Sequence, residues 1–176
     1  ACLSRPSISA RLLSLICPMA DRVSVCAMRA TSAPEKPEEF LDGQVRSRGP
    51  GLWEENNPEG FSALMGTVSR RISVTSPYFV PDQAIMYALR AATARGVDVE
   101  LFVSETGDQP MVYDAQRSYY EALLRAGVRI FMFKPPYILH SKHFTIDDSI
   151  AVVGSSNMDQ RSFNLNMEVS MVVRGA

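Results

Sequence analysis

From about residue 60 onward, apolar and polar positions fall into short runs that alternate between two periods. In GFSALMGTVSRR, residues 60–71, Phe61, Leu64, Met65 and Val68 recur at three- and four-residue intervals, which predicts one buried helical face. ISVTS, residues 72–76, is β-branched and predicts a short strand closed by PYFVPD. Asp82 is placed to cap a helix through QAIMYALRAATAR, with Gly96 as its stop. VDVELFV predicts the next strand, YDAQRSYYEALLRA a helix ended by Gly127, and VRIFMF a further strand. Strands alternating with helices over short connections predict an α/β sandwich, its sheet mixed but mostly parallel and flanked by helices. Then the pattern changes. YILHSKHFTI and IAVVGSS are separated only by DDS, which predicts a tight hairpin.

Residues 1–45 have another character. The first thirty are rich in Ser and Arg and hold one acid, Asp21. That is the composition of a targeting peptide, yet Pro18 interrupts the apolar stretch and no cleavage site stands out. TSAPEKPEEFLDG, with two prolines and four acids, reads as a linker. The expected division is a poorly ordered leader and linker over 1–45 and one folded domain over 46–176. The chain opens on Ala1 rather than a methionine, which fits a piece of something longer. No apolar run reaches the roughly 18 residues a membrane-spanning helix needs.

Composition narrows the function less than the patterning does. Hydrophobic residues make up 46% and charged residues 21%, an ordinary globular balance. A net charge of −1 gives no long-range field to gather nucleic acid, and so disfavours a nucleic-acid partner. Cys2, Cys17 and Cys26 are odd in number and lack paired metal-ligand spacing, which argues against a disulfide framework or a zinc site. Reduced thiols in a cytosolic setting are expected.

Both histidines of the chain, His140 and His143, fall in ILHSKHFTIDDSIAVVGSSN. Side chains alternate along a strand, so His140 and Lys142 share one side and Ser141 and His143 the other. A neutral imidazole beside an ammonium suits attack on a phosphodiester. The lysine balances charge on a non-bridging oxygen and disfavours protonation of its neighbour. Gly154 would allow close backbone approach to the phosphate, and the short polar side chains of GSSN would donate to it. A nucleophilic imidazole also needs orienting through its other nitrogen, and Glu168 is the nearest downstream acid a returning strand could bring beneath it. His143, on the opposite side, is expected to be an ordinary strand residue. SPYFVP is either a strand-ending turn or, through Tyr78, part of the site wall. Arg161 and Ser162 either contact substrate or cap a short helix.

His140-x-Lys142, Asp147 and Gly154-Ser155-x-Asn157 stand at the spacing HxKxxxxDxxxxxxGSxN, and the chain thereby resembles the phospholipase D superfamily. SPYFVPD, RGVDVELFVSE, YYEALLRAGVRI and NMDQRSFNLNMEVSMVV look like the C-terminal half of bacterial cardiolipin synthases. The resemblance covers about residues 45–176. It implies a phospholipase D-like sandwich, here with one such HKD lobe, working without metal or other cofactor. His140 would be the nucleophile that forms a phosphohistidine, or its acid/base partner. Lys142, Ser155 and Asn157 would hold the phosphate, and Glu168 would pair with His140. Asp147 belongs to the same catalytic motif and is expected to act structurally at the hairpin turn. Gly49-Pro50 is all that remains of a Ser-Gly-Pro stretch and carries no role.

The implied reaction joins two phosphatidylglycerols into cardiolipin with release of glycerol, at the surface of the bacterial cytoplasmic membrane. Such synthases carry two motifs, and this chain carries one. The second lobe is expected from a missing N-terminal half, or alternatively from a homodimer partner. The alternatives are a dimeric phosphodiesterase, phospholipase or nuclease, with water as acceptor, and an inactive fragment.

Overall fold

The computed structural model describes residues 42–48 and 57–175. What was read for residues 1–41, and for Gly49-Pro50, lies outside them. The chain runs β1 (Asp42–Arg48), α1 (Asn57–Gly66), β2 (Arg71–Thr75), β3 (Phe79–Val80), α2 (Gln83–Ala94) and β4 (Asp98–Ser104). There follow α3 (Pro110–Ser118), α4 (Tyr120–Arg125), β5 (Arg129–Phe133), β6 (His143–Ile146), β7 (Ile150–Gly154), β8 (Met158–Asp159), α5 (Gln160–Asn164) and β9 (Glu168–Arg174). β1 begins at Asp42, so residues 42–45 of the expected linker are in fact strand.

The local signals act as their chemistry requires. Asp82 accepts a hydrogen bond from Ile85 N at 2.9 Å and starts α2, whose Ile85, Ala88, Leu89 and Ala92 turn into the core. Gly96 and Gly127 end their helices at φ of 84° and 92°, a conformation that costs only glycine little. The helix expected over 113–126 starts earlier, at Pro110, and is broken at Tyr119. Near the break the Ser118 hydroxyl bonds Ala115 O at 2.6 Å and competes with the helical ladder.

Seven strands form one sheet in the order β1-β9-β7-β6-β2-β4-β5, with a separate two-stranded pair β3-β8. Within the seven-stranded sheet, only the neighbouring pairs β2–β4 and β4–β5 are parallel. The pairs β2–β6, β6–β7, β7–β9 and β9–β1 are antiparallel. The sheet is mixed, as expected, but its parallel part is confined to the strands joined by helical crossovers. Parallel neighbours need long connections, and residues 147–149 leave room only for a hairpin. The core sits against this junction, where the Phe61 and Phe144 rings meet edge to face at 5.0 Å and Met65, Ile72 and Leu101 are fully buried.

Gly154 answers to packing rather than to ligand approach. A Cβ there would stand 2.4 Å from Val169 O and 2.7 Å from Ser170 Oγ on β9. The close approach read for a phosphate is therefore made by the neighbouring strand.

Candidate active site

Apart from Asp147, the motif residues gather where β2 and β7 end and β6 and β9 begin. In an α/β sheet this is the edge beyond the carboxyl ends of the parallel strands, where ligands are commonly taken. An open pocket of about 440 Å³ lies there, lined by His140, Ser141, Lys142, Val153, Gly154 and Ser155.

Strand alternation places the two histidines as expected, although β6 itself starts only at His143. The ladder reaches back one residue further, through Gly154 N donating to Lys142 O at 3.2 Å. Lys142 Nζ stands 3.2 Å from His140 Nδ1 and donates to His140 O, also at 3.2 Å. Burial lowers the Lys142 pKa, while the carboxylates of Glu168 and Asp159 act to raise it. An ammonium pressed toward neutrality gains when an anion arrives beside it, so the pocket suits an anion.

His143 points away and is buried. Ser141 Oγ lies 2.8 Å from its Nδ1, and burial depresses its pKa from 6.5 to about 4. The fold therefore prefers the neutral ring. Its contribution to stability is complete above pH 6.5 and is lost as the pH falls toward about 4. The difference is on the order of 3 kcal/mol. In urea titrations across that window, stability should fall in the native chain but stay level in His143→Gln. A slope identical in both would show that His143 does not carry it.

Glu168 does not reach His140. One carboxylate oxygen accepts the Ser155 hydroxyl and the other accepts Asn166 Nδ2 at 3.2 Å. The pairing has a backbone cause: Ser155 N donates to Val169 O at 2.9 Å, and Val169 N donates back to Ser155 Oγ at 3.1 Å. Ser155 is thereby locked onto the first residues of β9. Its hydroxyl proton goes to Glu168, not outward to a ligand. In this arrangement Glu168 orients Ser155 and lends negative charge beside Lys142.

Asn157 Nδ2 donates to Ser162 Oγ at 3.3 Å, and its Oδ1 is buried with no hydrogen-bond partner among the described residues. Ser162 is buried, and its backbone N–H bonds the Asp159 carboxylate at 2.6 Å, so Asp159 is the cap of α5. Arg161 is exposed.

Asp147 stands at the other end of β6, outside the cluster. Its carboxylate accepts from Ser69 N, Ser69 Oγ and Arg70 N at 2.7 Å each and from Arg71 N at 2.9 Å. Burial alone would raise its pKa, but these hydrogen bonds outweigh it and hold the group at about 2. Asp147 and Asp148 turn the hairpin at φ of 51° and 62°, which aspartate tolerates better than most residues.

Two neighbours carried no motif. Tyr78, weighed above only as a possible wall, meets the His140 ring edge to face. Asp108 lies behind it and bonds its hydroxyl. Their one sequence signal is position, in loops after strands of a parallel unit, where such sheets keep their sites.

A phospholipase D-type lobe is what this sheet and this histidine–lysine pair define. The family described as "Cardiolipin synthase, PLD-like domain" matches residues 62–176, and the chain belongs to it. It is 43% identical over 129 residues to cardiolipin synthase A of Pseudomonas aeruginosa, covering 73% of this chain and 26% of that protein. It is 41% identical over 127 residues to the cardiolipin synthase of Halalkalibacterium halodurans, covering 72% and 25%. The chain thus spans about a quarter of the length of these relatives. Nuc of Salmonella typhimurium, a phospholipase D family member, shares the fold with a TM-score of 0.62 at 23% identity, over 77% of this chain and 84% of Nuc. The phosphatidylserine synthase of Haemophilus influenzae shares it with a TM-score of 0.61 at 16% identity, over 77% and 35%.

Proposed function

We propose that this lobe contributes the nucleophilic half of a cardiolipin synthase-type phosphatidyltransferase. The observation that carries the reading is the His140 imidazole beside the Lys142 ammonium in an open pocket. A ring nitrogen of His140 attacks the phosphorus of phosphatidylglycerol, a nitrogen–phosphorus bond forms, and the bond to the glycerol oxygen breaks. That oxygen leaves with the electron pair and takes a proton from a general acid. A hydroxyl of a second phosphatidylglycerol then attacks the phosphohistidine, gives up its proton, and frees His140.

The general acid comes from a second lobe, either in a longer chain or in a second copy. His143 does not serve, because it is buried, faces away and is engaged by Ser141. Lys142 balances the phosphate charge, with Asn157 Nδ2 as a further donor to it. Among the described residues no helix is long and apolar enough to cross a membrane, so this lobe would meet its lipid at the bilayer surface.

The test is a product analysis on phosphatidylglycerol vesicles, with the chain at a concentration that favours self-association. Cardiolipin and glycerol are expected, and both should vanish in His140→Ala. Phosphatidic acid in place of cardiolipin would make water the acceptor. Cardiolipin formation that survives the substitution would overturn the reading.

A further inference from the structure

His140 needs its ring held for attack on phosphorus, yet the acid suited to that task, Glu168, is bonded to Ser155 and Asn166. What flanks the ring is Tyr78. The two ring centroids are 6.5 Å apart with their planes at 89°, an edge-to-face arrangement.

Tyr78 is itself held at both ends. Its hydroxyl donates to the Asp108 carboxylate, with oxygens at 2.7 and 2.8 Å, and Gln109 Nε2 donates to the phenol oxygen at 3.4 Å. Its backbone carbonyl accepts from the buried Ser76 hydroxyl at 2.6 Å. The same Ser76 oxygen accepts from Met158 N at 3.2 Å, one residue beyond Asn157. The next residue, Phe79, donates its N–H to the buried Gln116 side chain at 2.9 Å. The Asp108 loop is pinned in turn, since the Tyr113 hydroxyl donates to Glu105 O, and a Cβ on Gly107 would stand 2.7 Å from the Tyr113 Cβ. Burial, and then the Asp108 carboxylate, raise the Tyr78 pKa and keep its phenol protonated.

We infer that Tyr78, braced by Asp108, is a positioning residue that holds the His140 imidazole for attack. The inference rests on His140 being the nucleophile. Four other hydrogen bonds fix the backbone and loop around this pair, so the contact is set before substrate arrives.

The test is rapid-quench measurement of acid-labile phosphohistidine on phosphatidylglycerol vesicles. Tyr78→Leu, which removes the ring, should slow its formation about tenfold while KM stays within about twofold. Tyr78→Phe and Asp108→Asn keep the packing and weaken the brace. Each should slow the step about threefold, and the double variant should be no slower than either alone. A merely structural role would lower the unfolding midpoint and leave this split between rate and KM unmoved. Native rates in Tyr78→Phe and Asp108→Asn, together with Tyr78→Leu if it folds, overturn the inference. Phosphoenzyme that persists in His140→Ala overturns the nucleophile assignment instead.

Discussion

Lys142→Met is expected to lower phosphatidylglycerol turnover by about 10³-fold, the scale of losing one preorganised charge donor from a transition state. Lys142 is the cation beside the proposed nucleophile, 3.2 Å from His140 Nδ1, and its ammonium is partly desolvated before any ligand arrives. Methionine keeps the length and packing of the stem but leaves the phosphate charge facing Glu168 and Asp159 without a counterion. Both of those carboxylates act on Lys142. With the cation gone they repel the substrate, so KM should rise as kcat falls. Lys142→Arg should recover only part of the rate, because a planar fork does not occupy the place of a point charge held against a ring. The check is steady-state kinetics beside a circular-dichroism melt. A loss of less than about tenfold with the fold intact would remove Lys142 from the chemistry.

Asp147→Ala is expected to cost about 2–3 kcal/mol of unfolding free energy and to leave the chemistry of folded molecules nearly unchanged. The carboxylate gathers three consecutive backbone N–H groups and one hydroxyl at the start of β2, joining the hairpin to a segment 76 to 78 residues away. Water can reach those donors in the variant, which holds the loss below the sum of four charged hydrogen bonds. Alanine also meets the φ of 51° with no side-chain oxygen to support it. Because the folded pKa is depressed from 3.8 to about 2, this stabilisation is complete above pH 3.8 and is lost as the pH falls toward 2. Urea unfolding at pH 7 and pH 2.5 measures both effects: the two proteins should differ widely at the first pH and much less at the second. An equal gap at both would show that the charge of Asp147 is not what matters.

Much of the site was legible because it lies within one hairpin, where period-two alternation and a short connection settle which side chains share a side. That is why His140 and Lys142 could be paired and His143 set apart. The hydrogen bonding of Glu168 was not legible, for a physical reason. A strand's return says which acid comes near, but not that Ser155, locked to Val169 by two hydrogen bonds, intercepts it. Tyr78 and Asp108 are thirty residues apart and meet only through packing, which no local pattern records. β1 escaped notice because an edge strand needs no buried face. Its described side chains are mostly exposed, and DGQVRSR shows no apolar alternation. The balance of parallel and antiparallel strands was missed because β6 joins β2 across the chain, a pairing set by the whole sheet.

The outermost pairing of the sheet bears on how such a lobe is inherited. Asp42 lies opposite Arg174, and the ladder continues inward to Arg48 opposite Glu168. The two ends of the described fold therefore leave the sheet at one corner, on strands that run in opposite directions. A unit whose ends adjoin can be duplicated, appended or inserted between other segments without threading the chain through its core.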